Sequence, residues 1–189
     1  MGKSASGKDT IYQRIHAACP ELGSYVMYTT RPMRTGEIDG VTYHFVEAEA
    51  LADYERNGRL IEKRTYQTVY GPWTYATVDD GQIDLSERDY LIPGTLESWH
   101  ALREYYGREA LIPIYIEVED GLRLERALAR ERKQQTPKYA ELCRRFLADT
   151  EDFSEERLRE AGIRKHYQND DLETCTAEIL EDIRRNAQA

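Results

Sequence analysis

Long apolar runs are missing from this chain. None approaches the roughly 20 residues that a membrane-spanning helix needs, and no basic segment followed by an apolar one marks a secretion signal. Cysteine is scarce. Cys19, Cys143 and Cys175 are odd in number and far apart, which excludes a disulfide framework and a zinc pattern. A reducing, cytoplasmic setting is the natural expectation. His16, His44, His100 and His166 show no ligand spacing. Positive charge is in deficit, with 26 Lys and Arg against 35 Asp and Glu and a net charge of -9. That balance argues against broad binding to nucleic acid or anionic membranes. It leaves room for a small anionic ligand, because salt screens distant charges over about 8 Å and a local arginine cluster then dominates. Repeats, low-complexity tracts and long linkers are absent, and nothing indicates an oligomeric state.

What remains is 189 residues, 40% hydrophobic, enough for one domain with a proper core. Ile11, Ile15 and Ala18 share one face of a helix starting near Asp9 and ending at Pro20 and Gly23. "SYVMY" and "VTYHF" read as strands on either side of the turn-rich loop "RPMRTGEIDG". "EAEALADYERNG" reads as a helix stopped by Gly58, and "RLIEKRTY" as a strand. "YLIPG" has the look of a short buried strand, "LESWHALREYYG" of a helix, and "ALIPIYIEV" is the clearest strand signal in the chain. From Asp120 to Gly162 the pattern is mainly helical, broken near "KQQTPKYA". Leu172, Cys175, Ile179 and Ile183 form the inner stripe of a last helix capped by Asp170 or Asp171. Strands alternating with helices predict an α/β protein with a parallel sheet covered on both faces.

"MGKSASGKDT" opens the chain with the spacing of a phosphate-cradling loop. Gly2 and Gly7 permit close backbone approach. Ser4, Ala5 and Ser6 lie between them, and the amides leading into the helix face an anion there. Lys8 adds a charge able to reach outer phosphates. A strict loop then has Ser or Thr, but here Asp9 comes next and Thr10 follows. Either Thr10 faces a Mg²⁺ ion while Asp9 favours the positive end of the helix, or Asp9 binds the ion directly or through water. A bland reading is a Gly/Ser turn capping a helix. Such loops follow a buried strand, so an in-frame run of about five apolar codons is expected upstream.

"YTTRPMRTGEIDGVTYHF" is the second informative stretch. Pro32 biases Arg31 away from helix. Arg31 and Arg34 then converge on one anion, each charge-assisted bond being worth roughly 1.5–3 kcal/mol. Tyr43 and Tyr70 are candidate hydroxyl donors to it. The bland alternative is a solvated loop with ordinary core tyrosines.

Together "GKSASGKDT", "TTRPMRTGEIDGVTYHF", "LIEK…VYG", "RALARER", "CRRFLADTEDF" and "NDDLETC" resemble the guanylate kinase family of nucleoside monophosphate kinases, in order and over nearly the whole chain. The resemblance implies a P-loop NTPase core of parallel strands and helices (1–30, 82–131 and 140–189). It adds a small α+β acceptor-binding region (31–81) and a short helical lid (132–139). It implies transfer of the ATP γ-phosphoryl group to GMP with Mg²⁺. By position, Arg31, Arg34, Tyr43 and Tyr70 resemble the clamp on the acceptor phosphate. Glu37 resembles its acidic support, and Glu62 the carboxylate that reads guanine N1–H and the amino group. Arg130 and Arg145 resemble the arginines that neutralise transferring phosphates, with Arg126 on the same helix face as Arg130, and Asn169 resembles the residue near adenine. Lys8, Arg31, Arg130 and Arg145 are the implied catalytic set. The loop from Gly2 to Thr10, Arg126 and Asn169 would bind ATP.

The chain also departs from the family pattern. Met27 stands where a guanine-contacting Ser is usual, Pro72 where a hydroxyl residue follows "YG", and "YLIPGT" where two Asp residues are usual. Loss of buried hydrogen-bonding groups weakens discrimination between bases. The acceptor is therefore GMP, another nucleotide or a phosphorylated sugar. Ribose 1,5-bisphosphate phosphokinases, which often carry Asp after the loop Lys, are the enzymatic alternative. A non-catalytic guanylate-kinase-like binding domain is the other, although such domains generally lose the phosphate loop that Gly7 and Lys8 retain here.

Overall fold

The computed structural model describes residues 1–34, 36–68 and 71–187. In chain order the elements are α1 (Lys8–Ala18), β1 (Gly23–Ser24), β2 (Tyr28–Thr29), β3 (His44–Phe45), α2 (Ala48–Arg56), β4 (Leu60–Thr68), β5 (Gly71–Val78) and β6 (Tyr90–Leu91). After them come α3 (Leu96–Tyr106), a 3-10 turn (Arg108–Ala110), β7 (Tyr115–Glu117), α4 (Asp120–Arg132), α5 (Tyr139–Asp152), α6 (Glu155–Glu160), β8 (His166–Gln168) and α7 (Leu172–Asn186). Two compact units divide the chain. One comprises Met1–Cys19, Pro93–Trp99 and Ile112–Ala189, the other Pro20–Ile92 and His100–Leu111.

In the first unit β7 and β8 pair in parallel, Tyr115 opposite His166. Met1 runs beside β7, its carbonyl accepting from Ile116 N at 2.9 Å. Ile11 and Ile15 are buried on α1, as their spacing predicts. Asp171 caps α7, its Oδ1 accepting from Thr174 N at 2.8 Å. Cys175 and Ile179 are buried on that helix, while Leu172 and Ile183 at the ends of its stripe are half-buried. Tyr115 stacks on Phe153 at 5.6 Å between centroids, and the Trp99 indole donates to Ala161 O at 3.0 Å. Trp99 thereby buries a large surface without stranding its indole N–H.

The second unit holds a four-stranded sheet in the order β3-β2-β5-β4, and β1 paired in parallel with β6. One face of the larger sheet is apolar. Tyr28, Leu51, Ala76 and Val78 are buried together there, with Val46, Tyr54 and Leu60 packed against them. Leu51 belongs to α2, so that helix covers this face. Gly58, at φ +66°, lets the chain leave α2 and enter β4.

The expected α/β class with helix-flanked parallel strand pairs is present, and several strands are shorter than their patterns predict. "SYVMY" is not one strand. Tyr25 turns inward, its hydroxyl donating to Val78 O at 3.0 Å and accepting from Val78 N at 2.7 Å. Gln82 then satisfies Val26 N and O at 2.9 and 3.1 Å. Side chains thus take the backbone bonds that a ladder would use. In "VTYHF" only His44 and Phe45 are extended, because a turn closed by Gly40 at φ +73° occupies the residues before them. In "ALIPIYIEV" only Tyr115–Glu117 is strand; Pro113 offers no N–H to a ladder. "YLIPG" contributes Tyr90–Leu91, half-buried rather than buried. The strand β8 has no counterpart among the sequence expectations. Residues 133–138, within the segment 132–139 expected as the lid, are an irregular break between α4 and α5, where the sequence predicts one near "KQQTPKYA". Pro137 removes an N–H and restricts Thr136.

Candidate functional site

In the first unit, residues 2–7 form a tight loop that runs into α1. Ser6 N donates to Lys3 O at 3.2 Å, Ala5 takes a left-handed φ of 64°, and Gly7, at φ +83°, is the N-cap of α1. A Cβ at Gly7 would stand 2.4 Å from Asn169 Nδ2, and one at Gly2 would stand 2.6 Å from Ile116 O. Both positions therefore require glycine, for space as well as for backbone angle. Asn169 is buried, and its Nδ2 donates to Ser6 O at 2.7 Å. Its own backbone is held in turn: Arg126 donates to Asn169 O at 2.9 Å and Asp170 O at 3.3 Å. Asn169 and Arg126 therefore brace the loop and the chain that follows β8.

At the helix start the first-turn amides of α1 have no intrahelical acceptor. Lys8, about a third exposed, lies 3.6 Å from the Asp9 carboxylate, and Asp9 and Thr10 are exposed. Amides, ammonium and two oxygen donors thus meet within one helical turn, which suits a phosphate with a hard divalent cation. Arg130 and Arg145 are both exposed, on α4 and α5 respectively. Arg145 is 3.6 Å from Glu141, a surface pairing.

Beneath the loop lies a residue that sequence reasoning missed. Arg123 is 1% exposed. It donates to Asp120 Oδ1 at 3.0 Å, Asp149 Oδ2 at 3.3 Å and Ser4 O at 3.4 Å, and its guanidinium lies 4.0 Å from the Phe146 ring centroid. Asp149 Oδ2 also accepts from Ser4 N at 2.8 Å, and Lys3 reaches Asp120 at 3.4 Å. The loop is thereby bracketed to α4 and α5. Only the alternation of acidic and basic residues in "EDGLRLER" hinted at this. Glu117, Glu155 and His166 also gather, their ligand atoms all within 4.8 Å. Glu117 Oε2 already faces His166 Nδ1 at 3.1 Å and accepts from Gln168.

In the second unit Arg31 is 4% exposed and bound two-pronged to Glu37, with Nη1 at 2.7 Å and Nη2 at 2.5 Å. Glu37 also accepts from Arg34 N at 2.7 Å. The Arg31 bond, with help from Arg34, holds the Glu37 carboxyl down at about 2, and the same bond raises the Arg31 pKa. Arg31 sits 5.1 Å from the Tyr43 ring centroid and 5.3 Å from that of Phe45. The guanidinium is thus fixed in charge and direction, while Arg34 is exposed. Tyr70 lies outside the described residues.

The polar face of the four-stranded sheet continues this cluster. Tyr75 is opposite Thr29 on one side and Arg64 on the other, and Thr77 is opposite Glu62. Opposed residues and i, i+2 neighbours share a face. The Tyr75 ring meets those of Tyr43 at 5.7 Å and Tyr66 at 5.9 Å. Glu62 is deeply set, with a side chain 7% exposed; it accepts from Arg64 Nε at 3.1 Å, Arg64 Nη2 at 3.3 Å and Thr77 Oγ1 at 2.9 Å. Arg31, Glu37 and Tyr43 are therefore brought together, with Glu62 farther along the same face.

Comparison with known proteins identifies the family. The sequence model for guanylate kinase matches residues 1–184. The guanylate kinase of Frankia casuarinae is 46% identical over 61 residues, 32% of this chain and 33% of that one. That of Nitratidesulfovibrio vulgaris is 30% identical over 178 residues, 93% of this chain and 80% of the other. The matched stretch covers only about a third of the first curated relatives, 33%, 30% and 34% of their lengths. A crystal structure of guanylate kinase from Anaplasma phagocytophilum has a TM-score of 0.62 at 17% identity, over 98% of this chain and 82% of that one, which speaks for the fold. Among the described residues no helix is long and apolar enough to cross a membrane. With a family match over residues 1–184 and a relative 30% identical over 93% of its length, the chain belongs to the guanylate kinase family.

Proposed function

We propose that this protein transfers the γ-phosphoryl group of ATP to a nucleoside monophosphate, with GMP the first acceptor to test. The observation that carries the reading is the buried Arg31, forked on Glu37 in the "TTRPMRTGE" loop of a chain whose Gly7 also caps α1 at the end of a tight glycine-bounded loop. In this reading Arg31, Arg34, Tyr43 and Tyr70 hold the acceptor phosphate and Glu62 faces its base. The loop from Gly2 to Thr10 holds the ATP phosphates. Asn169 borders the adenine and Arg126 steadies it. Residues 31–81 serve as the acceptor-binding region and 132–139 as the lid, with Arg130 and Arg145 beside the lid neutralising charge as the phosphoryl group moves.

The oxygen donors of Asp9 and Thr10 suit Mg²⁺. When bound, the ion offsets charge on the phosphates; the protein's own groups do the rest. Lys8 supplies a positive charge to the outer phosphates. Arg31 enters the reaction already desolvated and oriented, so little reorganisation is left for the moment of transfer. No strong general base is needed, because the acceptor is an ionised phosphate. The proposal includes no role for nucleic acid or a membrane.

The test is an ADP-release assay with ATP, Mg²⁺ and GMP, dGMP, AMP, UMP, CMP or ribose 1,5-bisphosphate. GMP-dependent turnover is expected, falling roughly 10²–10³-fold in kcat for Lys8→Met. Turnover with the ribose bisphosphate alone would replace this reading with the sugar-kinase one. ATP binding without turnover on any acceptor would favour a binding domain.

A further inference from the structure

Three potential metal ligands from distant segments meet on the β7–β8 pair. Tyr115 lies opposite His166 and Glu117 opposite Gln168, so these four side chains share one face of the pair. Glu155, the first residue of α6, reaches the same place, and the ligand atoms of Glu117, Glu155 and His166 all lie within 4.8 Å of one another. The imidazole is held from two sides. The Tyr115 ring, itself fully buried, meets it edge-on at 5.0 Å between centroids, and Glu117 Oε2 faces its Nδ1 at 3.1 Å. Gln168 Nε2 donates to the same Glu117 oxygen and orients the carboxylate. No protein cation balances this charge. Among the described residues no Lys or Arg forms an ion pair with Glu117 or Glu155. Arg157, close by in sequence, turns to Asp152 at 3.1 Å and Glu151 at 3.8 Å, while Lys165 turns to Glu178 at 2.8 Å and to Asp182.

We propose that Glu117, Glu155 and His166 form a second cation site, separate from the Mg²⁺ donors at Asp9 and Thr10, and that it takes a divalent transition ion, Zn²⁺ foremost. A nitrogen and an oxygen bound to one ion at about 2.1 Å stand about 3.0–3.4 Å apart in octahedral or tetrahedral geometry. His166 Nδ1 and Glu117 Oε2 already have that spacing. Glu155 is exposed, so its side chain closes the remaining distance without repacking the core. One imidazole with two carboxylates suits Zn²⁺ better than Mg²⁺, which prefers oxygen alone. Three protein ligands leave a position for water. The ion ties α6 to the β7–β8 pair. That tie bears on the loop at residues 2–7, since Glu117 O accepts from Asn169 N at 2.8 Å and Asn169 holds Ser6 O. The site stands apart from the phosphoryl-transfer reading and needs no nucleotide.

Calorimetric titration of the nucleotide-free full chain with ZnCl₂ tests this. Millimolar Mg²⁺ keeps oxygen-only sites filled, and a Cys143→Ser background removes the exposed thiol as a competing ligand. One Zn²⁺ per chain is expected. Tm should rise by about 5–11 °C once free Zn²⁺ is about a hundredfold above Kd. Gln168→Ala should weaken binding about 10- to 100-fold, and Glu155→Gln or His166→Gln by at least as much. Saturable binding absent from the parent chain overturns the proposal. So does a bound ion whose affinity is unchanged by Glu155→Gln and His166→Gln, because its ligands then lie elsewhere. If His166→Gln does not fold, Glu155→Gln decides alone, its side chain being exposed.

Discussion

Removing the Arg123 guanidinium should damage both the stability of the protein and the shape of the loop at residues 2–7. The side chain is 1% exposed and lies between two carboxylates, 3.0 Å from Asp120 and 3.3 Å from Asp149. Its charge-assisted bonds are worth roughly 1.5–3 kcal/mol each, and the contact with Phe146 adds about 1 kcal/mol. These terms overlap, since Asp120 is partly exposed and can rehydrate while Asp149, 18% exposed, cannot easily do so. Breaking a buried pair from one side costs about 3–5 kcal/mol, and that is the figure expected for Arg123→Ala. For a chain of this size each kcal/mol lowers Tm by about 2–4 °C, so a fall of roughly 6–20 °C should appear in a calorimetric scan. The companion variant decides the mechanism. Replacing both partners, as Arg123→Met with Asp149→Leu, removes the stranded carboxylate along with the cation. It should recover a large part of the lost stability, because an apolar pair of similar volume replaces two desolvated charges. The double variant still loses the Asp149 bond to Ser4 N, so the KM for ATP should stay raised even where Tm recovers. An Arg123→Ala loss under about 1 kcal/mol, or a double variant no more stable than the single one, would refute this reasoning.

Two further outcomes follow from the electrostatics and burial. Glu37, held at about 2 by Arg31, titrates below its ordinary value near 4.5. Its contribution to stability is therefore whole above pH about 4.5 and declines as pH falls toward 2. Urea midpoints of wild type and Glu37→Gln should differ most near neutrality and converge in acid; parallel curves would show that the fork carries no linkage. Cys143 is exposed, while Cys19 and Cys175 are buried and burial pushes the Cys175 thiol up to about 11. A thiol reagent should label one cysteine per native chain and all three after denaturation; labelling of three at once would show the α1 and α7 packing to be open.

Helix positions were legible in the sequence where a local device sets them. Gly58 and the Asp171 cap act within a few residues of themselves, and the apolar spacing of Ile11 and Ile15 is a property of a single helix. The strands were less legible. Tyr25 and Gln82 take over backbone bonds from partners more than 50 residues away, so the apolar run "SYVMY" had no local mark of its interruption. The site divides in the same way. Gly7 with Lys8, and Arg31 with Glu37, are neighbours in sequence, so their juxtaposition was legible there. Glu62 with Arg64 was readable in principle as an i, i+2 pair on one strand face, but which face it occupied depended on β5.

By itself the sequence determined that this is an α/β chain with a glycine-bounded loop entering its first helix and a separate arginine-rich loop, because spacing within a dozen residues suffices to shape each. Only the tertiary structure decided that Arg123 lies beneath the loop at residues 2–7, that Arg126 spends its guanidinium on backbone carbonyls, and that Glu62 accepts from Arg64 and Thr77. Those outcomes depend on residues brought together from 26 to 119 positions apart in the case of Arg123, and on strand register in the case of Glu62. Burial makes such contacts matter, since a charge taken out of water must find its partner wherever the packing puts it.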